Sequence, residues 1–342
     1  MSLRSVRSIL ALLAVATALP VAALAQYKVL NTYKVGGDGG WDYVTADSAA
    51  RRLYVERSGP QGALYVYNLD TFAPTGKIDG LSGHGAIVDD ANHHGFVTGK
   101  LVTMFDATSL KVLKTIDTGG NPDGFLLDAA AHRVYILSHS VPNVVVLNTA
   151  DGSIIGKLDL GGEPEQSVLD GKGHLYIDLE DKDAIAVVDT ASLKMTGKYD
   201  IASKGGGCAG LAIDAKNGVL FAACRDKNNM IILNAADGRI LTTLPIGVGC
   251  DGAVFNPATS EVFSTQGDGT LTVIKESSPT SFAVEQTVTT PVRARTITLD
   301  SRTGHLITAT ADFGPPPPPR PGDKYSRAPM LPDTFKIVVV GK

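Results

Sequence analysis

Seven stretches of the chain share one pattern: a short apolar run closed by aspartate or asparagine, then a polar turn. The first is Gly40-Trp41-Asp42-Tyr43-Val44-Thr45-Ala46-Asp47, and the others end at Asp90, Asp128, Asp170, Asp214, Asn256 and Asp300. The closing residues are 43, 38, 42, 44, 42 and 44 residues apart. A second landmark follows each, for example Leu64-Tyr65-Val66-Tyr67-Asn68, Val144-Val145-Val146-Leu147-Asn148 and Met230-Ile231-Ile232-Leu233-Asn234. Each period holds four short runs rich in Val, Ile, Tyr and Thr, separated by Gly, Asn and Asp, which predicts four β-strands per repeat. No window keeps a 3.6-residue apolar period, so a helical repeat is excluded. Runs such as Val144–Leu147 are apolar without alternation, as strands covered on both faces are.

Four strands in about 40–45 residues is the period of a β-propeller blade. The predicted fold is all-β: a seven-bladed β-propeller of four-stranded antiparallel blades. The last repeat ends after its third strand, at Val340, while Tyr27–Val35 is a spare strand ahead of the first. The ring is therefore expected to close by the N-terminal strand joining the last blade, leaving no open edge.

The chain has 342 residues, 44% of them hydrophobic, which is enough to build a large core. Its net charge of −4 argues against a nucleic-acid or anionic-membrane surface. Residues 1–25 read as a signal peptide. Arg4 and Arg7 precede the apolar run Ile9–Ala18, and Ala23-Leu24-Ala25 is a small-x-small cleavage site. The propeller then spans 26–342, and no later stretch is long enough to span a membrane. The expectation is a soluble, periplasmic or secreted monomer.

An oxidising compartment allows one disulfide among Cys208, Cys224 and Cys250. If the hairpin around Ala215-Lys216-Asn217-Gly218 pairs residues summing to 432, Cys208 faces Cys224. A two-residue turn at Asn217-Gly218 puts Lys227 opposite Cys208 instead. A Cys208–Cys250 bridge, or none, stays open.

Asn121-Pro122-Asp123-Gly124 with the preceding Gly119-Gly120, and the runs Leu53-Tyr54-Val55, Val134-Tyr135-Ile136 and Leu175-Tyr176-Ile177, resemble the YVTN-repeat, YncE-like exported propellers over essentially the whole mature chain. The resemblance speaks to the fold. Propellers host binding proteins, lactonases, lyases and electron-transfer subunits, so function must come from the site.

Loop-built sites on a propeller lie over the central funnel, where the innermost strands begin. Aligning the seven inner strands puts Asp42, Gly85, Asp123, Glu165, Ala209, Asp251 and Arg295 at one equivalent position, preceded by Trp41, His84, Pro122, Pro164, Cys208, Cys250 and Ala294. The candidate ligand-binding residues are Trp41, Asp42, His84, Asp123, Glu165, Asp251 and Arg295. They suit a cation or a polyhydroxy ligand, with Trp41 as a stacking surface and Arg295 for an anion. The alternative is that the acids are solvated turn residues and Trp41 plugs the funnel. Glu56, Arg57, His139, Glu180, Asp181, Asp183, Arg225, Asp226 and Asp268 are expected on the same rim. His94, His132, His174 and His305 fall at the opposite face in different blades and cannot converge on a metal. Only His84 and His139 reach the funnel side.

Between Thr310 and Phe335 the last blade carries five consecutive prolines, Pro315–Pro319, and further prolines at 321, 329 and 332. This Pro-rich insertion, 311–334, favours polyproline II and hangs over the funnel as a lid, a docking segment or a bridge. GxSxG, Walker A, HExxH and CxxCH are absent from the sequence. Gly36-Gly37-Asp38-Gly39-Gly40 lacks the strand–helix context of a phosphate loop. Two functions follow. One is non-catalytic binding of a small ligand or envelope protein through the funnel face, with no cofactor. The other is a lactonase-like hydrolase whose funnel carboxylates hold a divalent metal or activate water.

Overall fold

The structure, a computed structural model, describes residues 25–319, 326 and 328–342. The leader pattern, apart from Ala25, lies outside these residues, as do Arg320 and Pro321 of the Pro-rich insertion. The described residues form 28 strands in seven four-stranded antiparallel sheets, with one 3-10 turn at Glu180–Lys182. No helix among them is long and apolar enough to cross a membrane.

Blade 1 runs from β2 (Val44–Asp47) to β5 (Pro74–Asp79), and blades 2 to 6 repeat the same meander as far as β25 (Ser281–Thr289). Blade 7 comprises β26 (Thr298–Asp300), β27 (His305–Thr310), β28 (Lys336–Gly341) and, outermost, β1 (Lys28–Lys34). β1 pairs antiparallel with β28, from Lys28 opposite Gly341 to Lys34 opposite Lys336.

The core lies between blades rather than in one place, because each sheet buries both faces. Between blades 1 and 7, Val44, Leu53, Val55 and Tyr67 pack on Ile307, Phe335, Ile337 and Val339. Between blades 4 and 5, Ile185 and Val187 meet Leu220, Ile231 and Leu233. Just before β1, Tyr27 packs on Phe263 of blade 6, and its hydroxyl donates to Glu261 Oε2 at 2.6 Å.

Five inner strands bulge at their first residues, between Gly83 and Ala86, Pro122 and Phe125, Pro164 and Ser167, Cys208 and Gly210, and Cys250 and Ala253. A bulge leaves residues unpaired and re-aims their side chains. The bulged residues include Gly85, Asp123, Glu165, Ala209 and Asp251, the aligned funnel position. The hairpin containing Cys208 runs in a register summing to 433, not 432. Its bulge then sets Cys208 opposite Cys224, and the two form a disulfide. Cys250 is free and buried.

Candidate functional site

The bulged acids meet the loop side chains of neighbouring blades in one continuous charged arc. His84 Nδ1 lies 3.0 Å from Asp42 Oδ2 and 2.9 Å from Asp123 Oδ1. His139 Nε2 lies 3.1 Å from Asp123 Oδ2 and 3.8 Å from Glu165 Oε2. Arg225 continues the arc, 3.6 Å from Glu165 Oε1, 2.6 Å from Glu180 Oε1 and in contact with Asp251. Arg295 ends it, 3.0 Å from Asp251 Oδ2. Six of the seven candidate residues thus belong to one network, which His139, Arg225 and Glu180 complete.

Asp123 and Asp251 are not solvated turn residues. The side chains of Asp123 and Asp251 are only 7% and 9% exposed. Burial pushes the Asp251 carboxyl up despite Arg295 and Arg225. The adjacent Asp123 and Asp42 carboxylates push His84 up to about 10, and Glu165 with Asp123 raises His139 to about 9. Each imidazole therefore lies between two carboxylates, which favour its protonated form.

Tyr43 stands outside the seven candidate residues, yet its hydroxyl reaches from blade 1 across the funnel to within 3.5 Å of Glu165 Oε2 in blade 4. Its ring meets Phe125 edge-on at 5.3 Å. Burial and the surrounding carboxylates push its phenol well above the ordinary value. Tyr43 borders a central channel of about 420 Å³ lined by the inner strands. The missed signal is the glycine of the next blade. A Cβ on Gly85 would lie 2.7 Å from Tyr43 Cβ and 2.8 Å from Phe125 Cε1.

Trp41 does not plug the funnel. It sits between blades 1 and 7, 5.0 Å from the Phe335 ring and 6.3 Å from Phe313. There it lines a cavity of about 630 Å³ with Gly39, Arg293, Arg295, Phe313 and Met330. The described ends of the Pro-rich insertion form one wall. Phe313 bridges Met330, Gly314 N donates to Pro329 O at 2.9 Å, and Leu331 N donates to Asp312 O at 2.8 Å. The Arg293 guanidinium stacks over Phe313 at 4.0 Å. Pro315–Pro319 are exposed.

Two residues expected on the solvated rim are buried instead. Arg57 is 2% exposed, its guanidinium 3.8 Å above the Phe335 ring. It donates to the carbonyls of Gly36, Gly37, Gly39 and Gly40. The glycine-rich loop thus turns carbonyls inward to a cation, the reverse of the N–H cradle that holds phosphate. Glu56 is fully buried and accepts the Gly83 N–H at 2.7 Å. On the opposite face His94, His132 and His174 serve turns, at Thr149 O, Asp89 and Asp170.

No family model matches the chain. It is similar to the uncharacterized protein YncE of Salmonella typhi and of Salmonella typhimurium strain LT2, 22% identical over 195 residues in each case. The match covers 54% of this chain, and the chain spans about half the length of these relatives. Among solved structures it is similar to a chain of the mitotic checkpoint complex, with a TM-score of 0.71 and 14% identity over 90% of this chain and 96% of that one. The WD40 repeats of RRP9 give a TM-score of 0.70 and 12% identity over 93% and 98%. Such likenesses establish the propeller fold, and half the chain carries a YncE-like sequence.

Proposed function

We propose that the protein binds a small organic anion at the funnel face, in the cavity between blades 1 and 7. The observation that carries the reading is the lining itself. Trp41 and Phe313 offer aromatic faces, and Arg293 and Arg295 offer guanidinium groups suited to a carboxylate or phosphate. A cavity of about 630 Å³ walled by the Phe313–Met330 turn suits a small molecule better than the flat surface an envelope protein would use. Export is part of this reading. It is supported by the leader pattern at residues 1–25 and by the Cys208–Cys224 disulfide.

Trp41 is the only tryptophan, so its fluorescence reports the cavity directly. Titration with benzoate, indole-3-acetate and phenyl phosphate should change that signal saturably for at least one probe. Arg295→Ala should weaken it about tenfold or more, the loss expected for a charge-assisted contact. A flat response to every probe, or equal affinity in the variant, refutes the reading.

A second reading, lactonase-like hydrolysis, draws on one observation: Asp42, His84 and Asp123, and Asp123, His139 and Glu165, form two compact triads of metal-ligating type. Hydrolysis of a lactone panel in the presence of Zn²⁺ or Mn²⁺, abolished by chelation, would favour it. Tight binding without turnover would leave the first reading alone.

A further inference from the structure

A carboxylate buried to 7% exposure normally accepts several hydrogen bonds, because an uncompensated buried anion is costly. Asp123 Oδ1 has no aligned donor among the described residues. The two histidine nitrogens beside it do not supply one. His84 Nδ1 carries at most one hydrogen, and its hydrogen bond is to Asp42 Oδ2. Asp123 Oδ1, 2.9 Å from the same nitrogen, is left without an aligned donor. His139 Nε2, 3.1 Å from Asp123 Oδ2, is likewise buried and without a hydrogen-bond partner. Asp123 Oδ1 and His139 Nε2 are thus both left without an aligned partner within one cluster that also contains Asp42 and Glu165.

An ion satisfies what protons do not. Two ligands bound at about 2.1 Å and at right angles stand about 3.0 Å apart, so a metal accepts the observed 2.9–3.1 Å spacing while serving both donors at once. In each triad the ligand atoms all lie within 4.8 Å of one another. Two imidazole nitrogens among carboxylate oxygens select the metal class. Ca²⁺ and Mg²⁺ take oxygen ligands, whereas mixed imidazole and carboxylate sets suit divalent first-row transition ions. The second ligands are also fixed. Glu165 is held by Tyr43 and Arg225, and the Asp123 bulge is anchored by Pro122 pairing with Ser138.

We propose that Asp42, His84, Asp123, His139 and Glu165 form a binding centre for a divalent transition-metal ion such as Zn²⁺ or Mn²⁺, built on Asp123. Each Asp123 oxygen faces one histidine nitrogen, and the partly exposed Asp42 side leaves room for water or a ligand to complete the coordination. The centre needs neither the anion cavity nor any hydrolysis. Loss of metal therefore leaves the Trp41 titration in place, and an unresponsive Trp41 leaves the metal result in place.

The test is equilibrium dialysis and calorimetry of the whole mature protein, stripped with chelator and titrated with Zn²⁺, Mn²⁺ and Ca²⁺. Visible absorption of Co²⁺ serves as a spectroscopic probe of imidazole ligation. Saturable uptake of at least one equivalent of Zn²⁺ or Mn²⁺, tighter than Ca²⁺, is expected. Asp123→Asn should reduce affinity at least 100-fold and remove the Co²⁺ bands, while His174→Gln on the opposite face should change neither. If Asp123→Asn fails to fold by circular dichroism, the double variant His84→Gln, His139→Gln replaces it and should show the same loss. Retention of wild-type affinity in a folded variant, no uptake by the wild type, or preference for Ca²⁺ overturns the proposal.

Discussion

Arg51 and Asp300 clasp the first blade to the last. The guanidinium donates to both carboxylate oxygens, Nη1 to Oδ1 at 2.7 Å and Nη2 to Oδ2 at 2.8 Å, and the Asp300 side chain is only 2% exposed. Arg51 sits in the turn between β2 and β3 (Arg52–Arg57), and Asp300 closes β26. A single bidentate pair thus spans the junction where the ring must stay shut.

That clasp carries a pH dependence of definite sign. Arg51 and the Thr303 hydroxyl hold the Asp300 carboxyl down at about 2, against an ordinary 3.8. A depressed acid contributes stability above its unfolded value and loses it as pH falls. About 2 kcal/mol should be present at pH 7 and vanish between pH 4 and pH 2. Asp300→Asn should be less stable by about that amount at pH 7 in urea, with a shallower acid limb. An unchanged acid limb would refute the assignment.

Glu56 works in the opposite direction. Burial pushes its carboxyl up to about 7 from 4.5, although Gly83 N–H donates to it. The folded state therefore keeps the proton that the unfolded chain releases. The contribution of Glu56 to stability is greatest below about pH 4.5 and is lost as pH rises through 7. Glu56→Gln removes the ionisable group, keeps an acceptor for Gly83 and gives the orphaned Oε2 position a donor atom. It should match the wild type at pH 4 and exceed it by about 3 kcal/mol at pH 8.5 in the same urea assay.

The cysteines give a counting experiment. Cys250 is buried, and burial pushes its thiol up to about 12. A chromogenic thiol reagent should find no reactive thiol in the native protein, one in denaturant and three after reduction. Cys208→Ala with Cys224→Ala removes a link between residues 16 apart, and should cost about 3 kcal/mol.

Gly85 tests the packing that fills the funnel. Gly85→Ala drives a methyl against Tyr43 and Phe125, at 2.7 and 2.8 Å. Overpacking of this kind costs about 1–3 kcal/mol. An unchanged urea midpoint would show that Tyr43 does not hold its place across the channel.

Periodicity determined the architecture. Strands that bury both faces against neighbours must be apolar throughout and separated by turn residues, so the repeat at Asp47, Asp90, Asp128 and onward is written into the chain. The same alignment put Asp42, Asp123, Glu165, Asp251 and Arg295 at one position, with His84 one before it, and at Asp123, Glu165 and Asp251 that position falls in a recurring bulge. Which side chains meet across the funnel is decided only by the closed ring. Asp123 reaches His84 and His139, and Tyr43 reaches Glu165, 122 residues away in sequence. Burial, too, is settled in three dimensions. Arg57 and Glu56 look like rim residues in the sequence, yet the glycine loop and the second blade close over them. A local pattern sets which way a strand turns its residues. Distances between blades and access to water depend on how every blade packs on the next.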